Sequence, residues 1–135
     1  MSITQIAKHR RSAFDRQNGR CCYCGFLMWQ HSAEAFAAEH RISLAQAKHF
    51  QCTAEHLQAR CDGGNNRTEN IAAACKRCNQ LRHQRKKAPS PDAYQQFVQE
   101  RLRKGKWCTL PPKAKLDRQQ PPKLSTEKAA ATGHG

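Results

Sequence analysis

Two sets of side chains have residue types and spacing suited to chemistry. The first is Cys21, Cys24, Cys75 and Cys78, two pairs in which two residues separate the cysteines. Such a gap in a tight turn lets both thiolates bite one side of an ion, and four thiolates suit tetrahedral zinc. An all-thiolate shell leaves no open position, so this ion is expected to be structural. Cys22, Cys52, Cys61 and Cys108 have no partner at that spacing and read as small apolar residues. The second set is Glu55, His56, Asn70, Asn79 and His83. The carboxylate of Glu55, the amide oxygen of Asn79 and the imidazole of His83 are donors for a hard divalent ion. His56 follows Glu55, so in an extended strand it points to the opposite face, where a general base can reach a water. These are the parts needed to hydrolyse a phosphodiester: an activated water, charge stabilisation on the phosphoryl oxygens and help for the leaving 3′ oxygen.

Several elements must position these groups. A strand around Glu55-His56 leads into the turn Asp62-Gly63-Gly64-Asn65-Asn66, and Asn70 to Ala74 is apolar enough to pair back as a second strand. After Cys75 a polar, basic run suits a helix, and Asn79 and His83, four apart, share one face of it. Strand, Gly-rich loop, strand and helix make a ββα unit. Upstream, Ser2 to Asn18 reads as a helix with Ile3, Ile6, Ala7 and Phe14 on one side, stopped by Asn18-Gly19. Its role is to pack on the metal unit, with phosphate contact by some of its arginines as the sharper alternative. Arg20 to Gly25 reads as a zinc knuckle, followed by a short strand or cap at Phe26-Leu27-Met28-Trp29. Two short helices are expected over Ser32 to His40 and Ser43 to Phe50, with Ser32 and Ser43 as caps. His31, His40 and His49 have no common spacing and read as surface or capping residues. A last helix runs from Pro91 through Arg103, docked by Tyr94, Phe97, Val98 and Leu102, and Trp107 folds back as an anchor.

The 135 residues allow one small domain, near the size at which an apolar core alone stabilises only marginally. Hydrophobic residues make up only 38% of the chain, which favours a metal staple. With no apolar leader and no run approaching ~18 apolar residues, the cysteines read as metal ligands in a reducing cytoplasm. The formal charge of +14 draws polyanions, nucleic acid first among them. The domain is expected to span 1–110, with prolines, lysines and glutamines from Pro111 to the end forming a disordered basic tail, 111–135.

The order and spacing of His56, Asn70, Asn79 and His83, locked to Cys75 and Cys78, resemble the core of the HNH endonuclease family over about residues 20–87. The resemblance implies a small α+β fold: a ββα-metal (His-Me finger) core stapled by a four-cysteine zinc site and flanked by helices. It implies a DNA endonuclease in which His56 activates water and Asn70 braces the loop and the base. Glu55, Asn79 and His83 would hold a catalytic magnesium or manganese ion, with His83 either a third ligand or a helper for the leaving group. Lys76, Arg77, Arg82 and Arg85 would lie against the DNA backbone. Glu55 stands where many members of the family have aspartate, one methylene shorter. The rival expectation is a non-catalytic zinc-ribbon module that only binds nucleic acid. It accounts for the cysteines and the charge but leaves the Glu55–His83 set idle.

Overall fold

Three small residues decide how the centre of the molecule packs. Ala72, Ala73 and Ala74 form the middle of a strand that is buried along its whole length. The structure, a computed structural model, describes residues 2–124. In chain order it contains α1 (Ser2–Arg16), α2 (Ala33–His40), α3 (Leu44–Lys48), β1 (Cys52–His56), β2 (Ile71–Cys75), α4 (Lys76–His83) and α5 (Pro91–Arg103). β1 and β2 pair antiparallel, with Glu55 opposite Ala72 and His56 opposite Ile71. Both α1 and α4 pack on this pair. Methyl side chains let the helices approach closely, where larger ones would hold them off. The result is a small α+β fold with a ββα centre.

A two-stranded sheet leaves edges open, and the chain closes the β2 edge locally. The Gln17 side chain acts as a substitute strand, donating to Ala73 O at 2.8 Å and accepting from Ala73 N at 3.0 Å. The Cys22 amide adds a bond to the same carbonyl, at 3.1 Å. The expected caps are in place. Ser32 caps α2, and Ser43 with Gln46 forms a reciprocal capping box on α3; a further cap, Ser90, precedes Pro91 at the start of α5. Asn18 and Gly19 take left-handed conformations just past α1. Phe26 to Trp29 make isolated bridges to Arg118, Arg20 and Gln51 instead of a continuous strand. Trp107 is buried against Tyr94 and Phe97 at the foot of α5, the anchor expected of it.

Three expectations are corrected. His40 is buried, its ring 4.4 Å from that of Phe36 and its Nδ1 within 3.3 Å of Lys115 O. It ends α2 four residues after Phe36, and so on the same inner face of the helix. Cys61 is exposed on the 3₁₀ turn Arg60–Asp62, so it is no core residue. The third concerns the tail. Residues 111–124 run over the knuckle as a strap: Arg118 bridges Phe26, Gln119 N donates to Gly25 O at 3.1 Å, and Leu116 and Pro121 are buried. Gly25 has φ +81°, and a Cβ there would meet Gln119 O at 1.8 Å, so the strap requires this glycine. Contacts to segments some ninety residues away hold these residues, and local composition carries no trace of them. Residues 125–135, also assigned to the tail, lie outside the described residues.

The strap carries a prediction. Cutting the chain before Pro111 exposes the Leu116 site and the faces of Phe26 and Gly25. Burying one such side chain contributes about 1.5–3 kcal/mol, so the melting temperature of the 1–110 fragment should fall by roughly 10 °C. A fragment that melts with the full-length chain would show that the strap does not hold the fold.

Candidate active site

The four cysteines meet where the knuckle touches the end of β2 and the start of α4. All four are buried, and their Sγ atoms lie within 4.8 Å of one another, Cys24 and Cys75 at 3.9 Å. A tetrahedron with zinc–sulfur bonds of about 2.3 Å has edges of about 3.8 Å, so the cluster fits the ion. Backbone amides aim at the sulfurs: Tyr23 N and Cys75 N at Cys21 Sγ, and Cys78 N at Cys75 Sγ, at 3.3–3.4 Å. Such bonds favour thiolate over thiol. Burial pushes the Cys24 and Cys78 thiols up. Cys21 is equally buried, yet hydrogen bonds from Cys22, Cys24, Cys75 and Cys78 hold it well below the usual range. Four sulfurs so close need a cation to carry their charge together, which a zinc ion would supply.

Some distance along β1, Glu55 is fully buried and has a partner for each carboxylate oxygen. Oε2 accepts from the Tyr23 hydroxyl at 2.7 Å and from Arg82 Nη1 at 2.7 Å. Oε1 lies 2.8 Å from His83 Nε2, on a ring whose side chain is 31% exposed. Burial, then the charges around Cys22 and Glu55, keeps the Tyr23 phenol well above its usual range, so it stays a donor. Asn79, one turn before His83 on α4, uses its amide nitrogen on Thr53 Oγ1 and Ala54 O at 3.0 and 3.1 Å. That commitment ties α4 to β1 through the nitrogen end of the amide. Two ligands of an octahedral ion at about 2.1 Å stand about 3 Å apart, so Oε1 and Nε2 suit one edge of such a site.

His56 occupies the other side of the strand alternation and is half-buried. Its Nε2 lies 2.8 Å from Asn66 Oδ1, and an N–H at Nε2 would donate there and leave the ring lone pair at Nδ1. Asn66 is held in turn by His9 of α1, whose Nδ1 lies 2.8 Å from Asn66 O. Asn70 ties the two ends of the loop together: Oδ1 accepts from Gln58 N at 2.8 Å, while Nδ2 donates to Asn65 O and Gln58 O. Gly64 passes so close to Gln58 O that a Cβ would sit 1.8 Å from it. The loop is thus a braced frame for His56.

This ββα arrangement has a counterpart among known families. The family model described as HNH endonuclease matches residues 45–85. This stretch is similar to the HNH endonucleases. The match takes in β1, the braced loop, β2 and α4, hence Glu55, His56, Asn70, Cys75, Cys78, Asn79 and His83. Cys21 and Cys24, which complete the cysteine cluster, lie outside it. No curated protein and no solved structure matches the chain. The HNH endonucleases are nucleases, and therefore hydrolases, as a family.

The basic residues of the HNH unit divide in a way the sequence reading does not anticipate. Arg85 stays exposed, with its guanidinium 4.7 Å above the Phe97 ring, and Lys76 is half-buried. Arg77 turns onto Trp107, stacking on the ring at 5.2 Å and donating to Trp107 O. Arg82 is only 2% exposed and spends its donors on Glu55, His56 O, Leu57 O and Pro89 O. Its expected place against a phosphate is therefore corrected: the buried Glu55 carboxylate needs a counter-charge, and Arg82 supplies it. Three residues at this site carry no spacing signal that ties them to it, namely Tyr23, Asn66 and Arg82 as a partner of Glu55. Only Tyr23 left a signal, a large aromatic inside the cysteine knuckle with a hydroxyl that burial must satisfy.

Proposed function

We propose that the protein is a metal-dependent endonuclease that hydrolyses DNA phosphodiester bonds at its HNH unit. The observation that supports this most is the pairing of Glu55 Oε1 with His83 Nε2 at 2.8 Å, one residue from His56, which is held against a braced loop. Glu55, His83 and Asn79 would hold the divalent ion, magnesium or manganese. When bound, that ion supplies positive charge for the phosphoryl oxygens and the leaving 3′ oxygen. His56 takes a proton from water at Nδ1, with Nε2 anchored on Asn66 so that the ring faces one way. Asn70 keeps the loop, and with it the imidazole, in register with β1. Cys21, Cys24, Cys75 and Cys78 would hold a structural zinc, and eight thiols suit a reducing cytoplasm. Lys76 and Arg85, with the exposed Lys86 and Lys87, would meet the DNA backbone.

Incubating the protein with supercoiled plasmid tests this reading. Nicking is expected with Mg²⁺ or Mn²⁺ and none with EDTA. A protein that binds plasmid yet leaves it intact across Mg²⁺, Mn²⁺, Co²⁺ and Ni²⁺ would be a binding module instead.

Binding has its own expected signature. With a formal charge of +14, affinity for duplex DNA should fall steeply with salt. Each neutralised phosphate contributes about −0.9 to the slope of log affinity against log salt. Arg85→Ala should flatten that slope by about one phosphate, whereas a flat slope for the wild-type chain would exclude phosphate-led binding.

A further inference from the structure

The clamp on Glu55 stands apart from anything the family match assigns. We infer that Tyr23 and Arg82 are positioning residues that pin Glu55 Oε2, so that Oε1 is the carboxylate atom presented beside His83 Nε2. The inference rests on the metal-site reading above and adds how that site is oriented.

A glutamate has one more rotatable bond than an aspartate, so a carboxylate on its tip needs outside restraint to serve as a defined ligand. Both restraints here are rigid. Tyr23 is fully buried inside the knuckle between Cys21 and Cys24, and its ring packs edge-on against Tyr94 at 4.9 Å. Its hydroxyl therefore has nowhere to go but Glu55. The Arg82 guanidinium is fixed on three sides by the carbonyls of His56, Leu57 and Pro89, at 2.8–3.0 Å, before it reaches the carboxylate. These carbonyls belong to the end of β1, its exit and the run into α5, so the clamp is tied to backbone rather than to mobile side chains. With Oε2 held by two donors, rotation about the last bond is stopped, and Oε1 faces α4. The extra methylene of Glu55 is thus taken up by the clamp. The geometry also joins the two sites: a change in the cysteine knuckle moves Tyr23, and Tyr23 moves the carboxylate.

Tyr23→Phe removes one hydroxyl and keeps the ring in its packing, so the protein should fold. It should retain one zinc per chain, bind DNA as wild type does and melt within a few degrees of it. Mn²⁺ binding without DNA, followed by the spectroscopic signal of the free ion, should weaken about 10–100-fold, the usual effect of removing an outer partner of a metal ligand. Excess Mn²⁺ should then restore most of the cleavage. Glu55→Asp is the second probe: a shorter arm cannot span from the clamp to His83, so it should lose Mn²⁺ affinity to a similar degree. Tyr23→Phe protein that binds Mn²⁺ as tightly as wild type would overturn the clamp and leave the nuclease reading standing. Mn²⁺ binding that is as tight in Glu55→Gln as in the wild-type protein would overturn both.

Discussion

Replacing His56 with alanine should lower the rate of DNA cleavage by roughly 10²–10⁴-fold, the range for loss of a general base. The substitution takes away the imidazole that leans on this loop from the end of β1 and leaves the loop its other braces. Asn70 still joins Gln58 to Asn65, and His9 still holds Asn66. The cysteine cluster and the basic surface are on other segments. Melting temperature and DNA affinity should therefore stay near wild type while turnover collapses. Asn79→Ala and His83→Ala should differ in kind. They weaken metal holding, so high Mn²⁺ should return part of their activity, whereas it should not return that of His56→Ala. The measurement is a single-turnover plasmid assay with a metal titration for each variant. Cleavage that survives His56→Ala unchanged would remove His56 from the role of base, whatever else the protein does.

The second large effect concerns the cysteine cluster. Structural zinc contributes on the order of 10–16 kcal/mol in small domains, as much as or more than the whole stability of a typical one, about 5–15 kcal/mol. Cys75→Ser isolates that term well. Cys75 is also the N-cap of α4, its side chain accepting from Cys78 N, and serine is among the best N-caps. The cap is thereby kept while a ligand is lost, so the damage reports the metal. The variant should carry little zinc, lose its cooperative melt and aggregate. Cys61→Ser, at an exposed position outside the cluster, should behave as wild type. Folded wild-type protein without zinc, or a Cys75→Ser protein with an unchanged melting temperature, would refute the structural site.

Much of this molecule is written in short-range pattern. The ββα order, the capping serines Ser32 and Ser43, the stop at Asn18-Gly19 and the two cysteine pairs follow from turn chemistry and helical spacing. These depend on neighbours within a few residues, so sequence alone determined them. The braced loop was also foreseeable, because Asn70 works on Gln58 and Asn65 within its own hairpin. Tertiary structure decided what long-range burial imposes. Arg82 reads as one more cation in a basic run, yet the Glu55 carboxylate is enclosed on all sides and must have a counter-charge, and α4 delivers Arg82 to it. Tyr23 reads as filler in a knuckle, until the fold sets its hydroxyl beside that same carboxylate, 32 residues along the chain. Residues 111–124 read as tail because their few apolar groups have no period. They are held one at a time, by Phe26, Gly25 and Gln95, across a surface that exists only once the chain is folded. Pairwise matching of single buried groups has no periodicity, and so leaves nothing for the sequence to show.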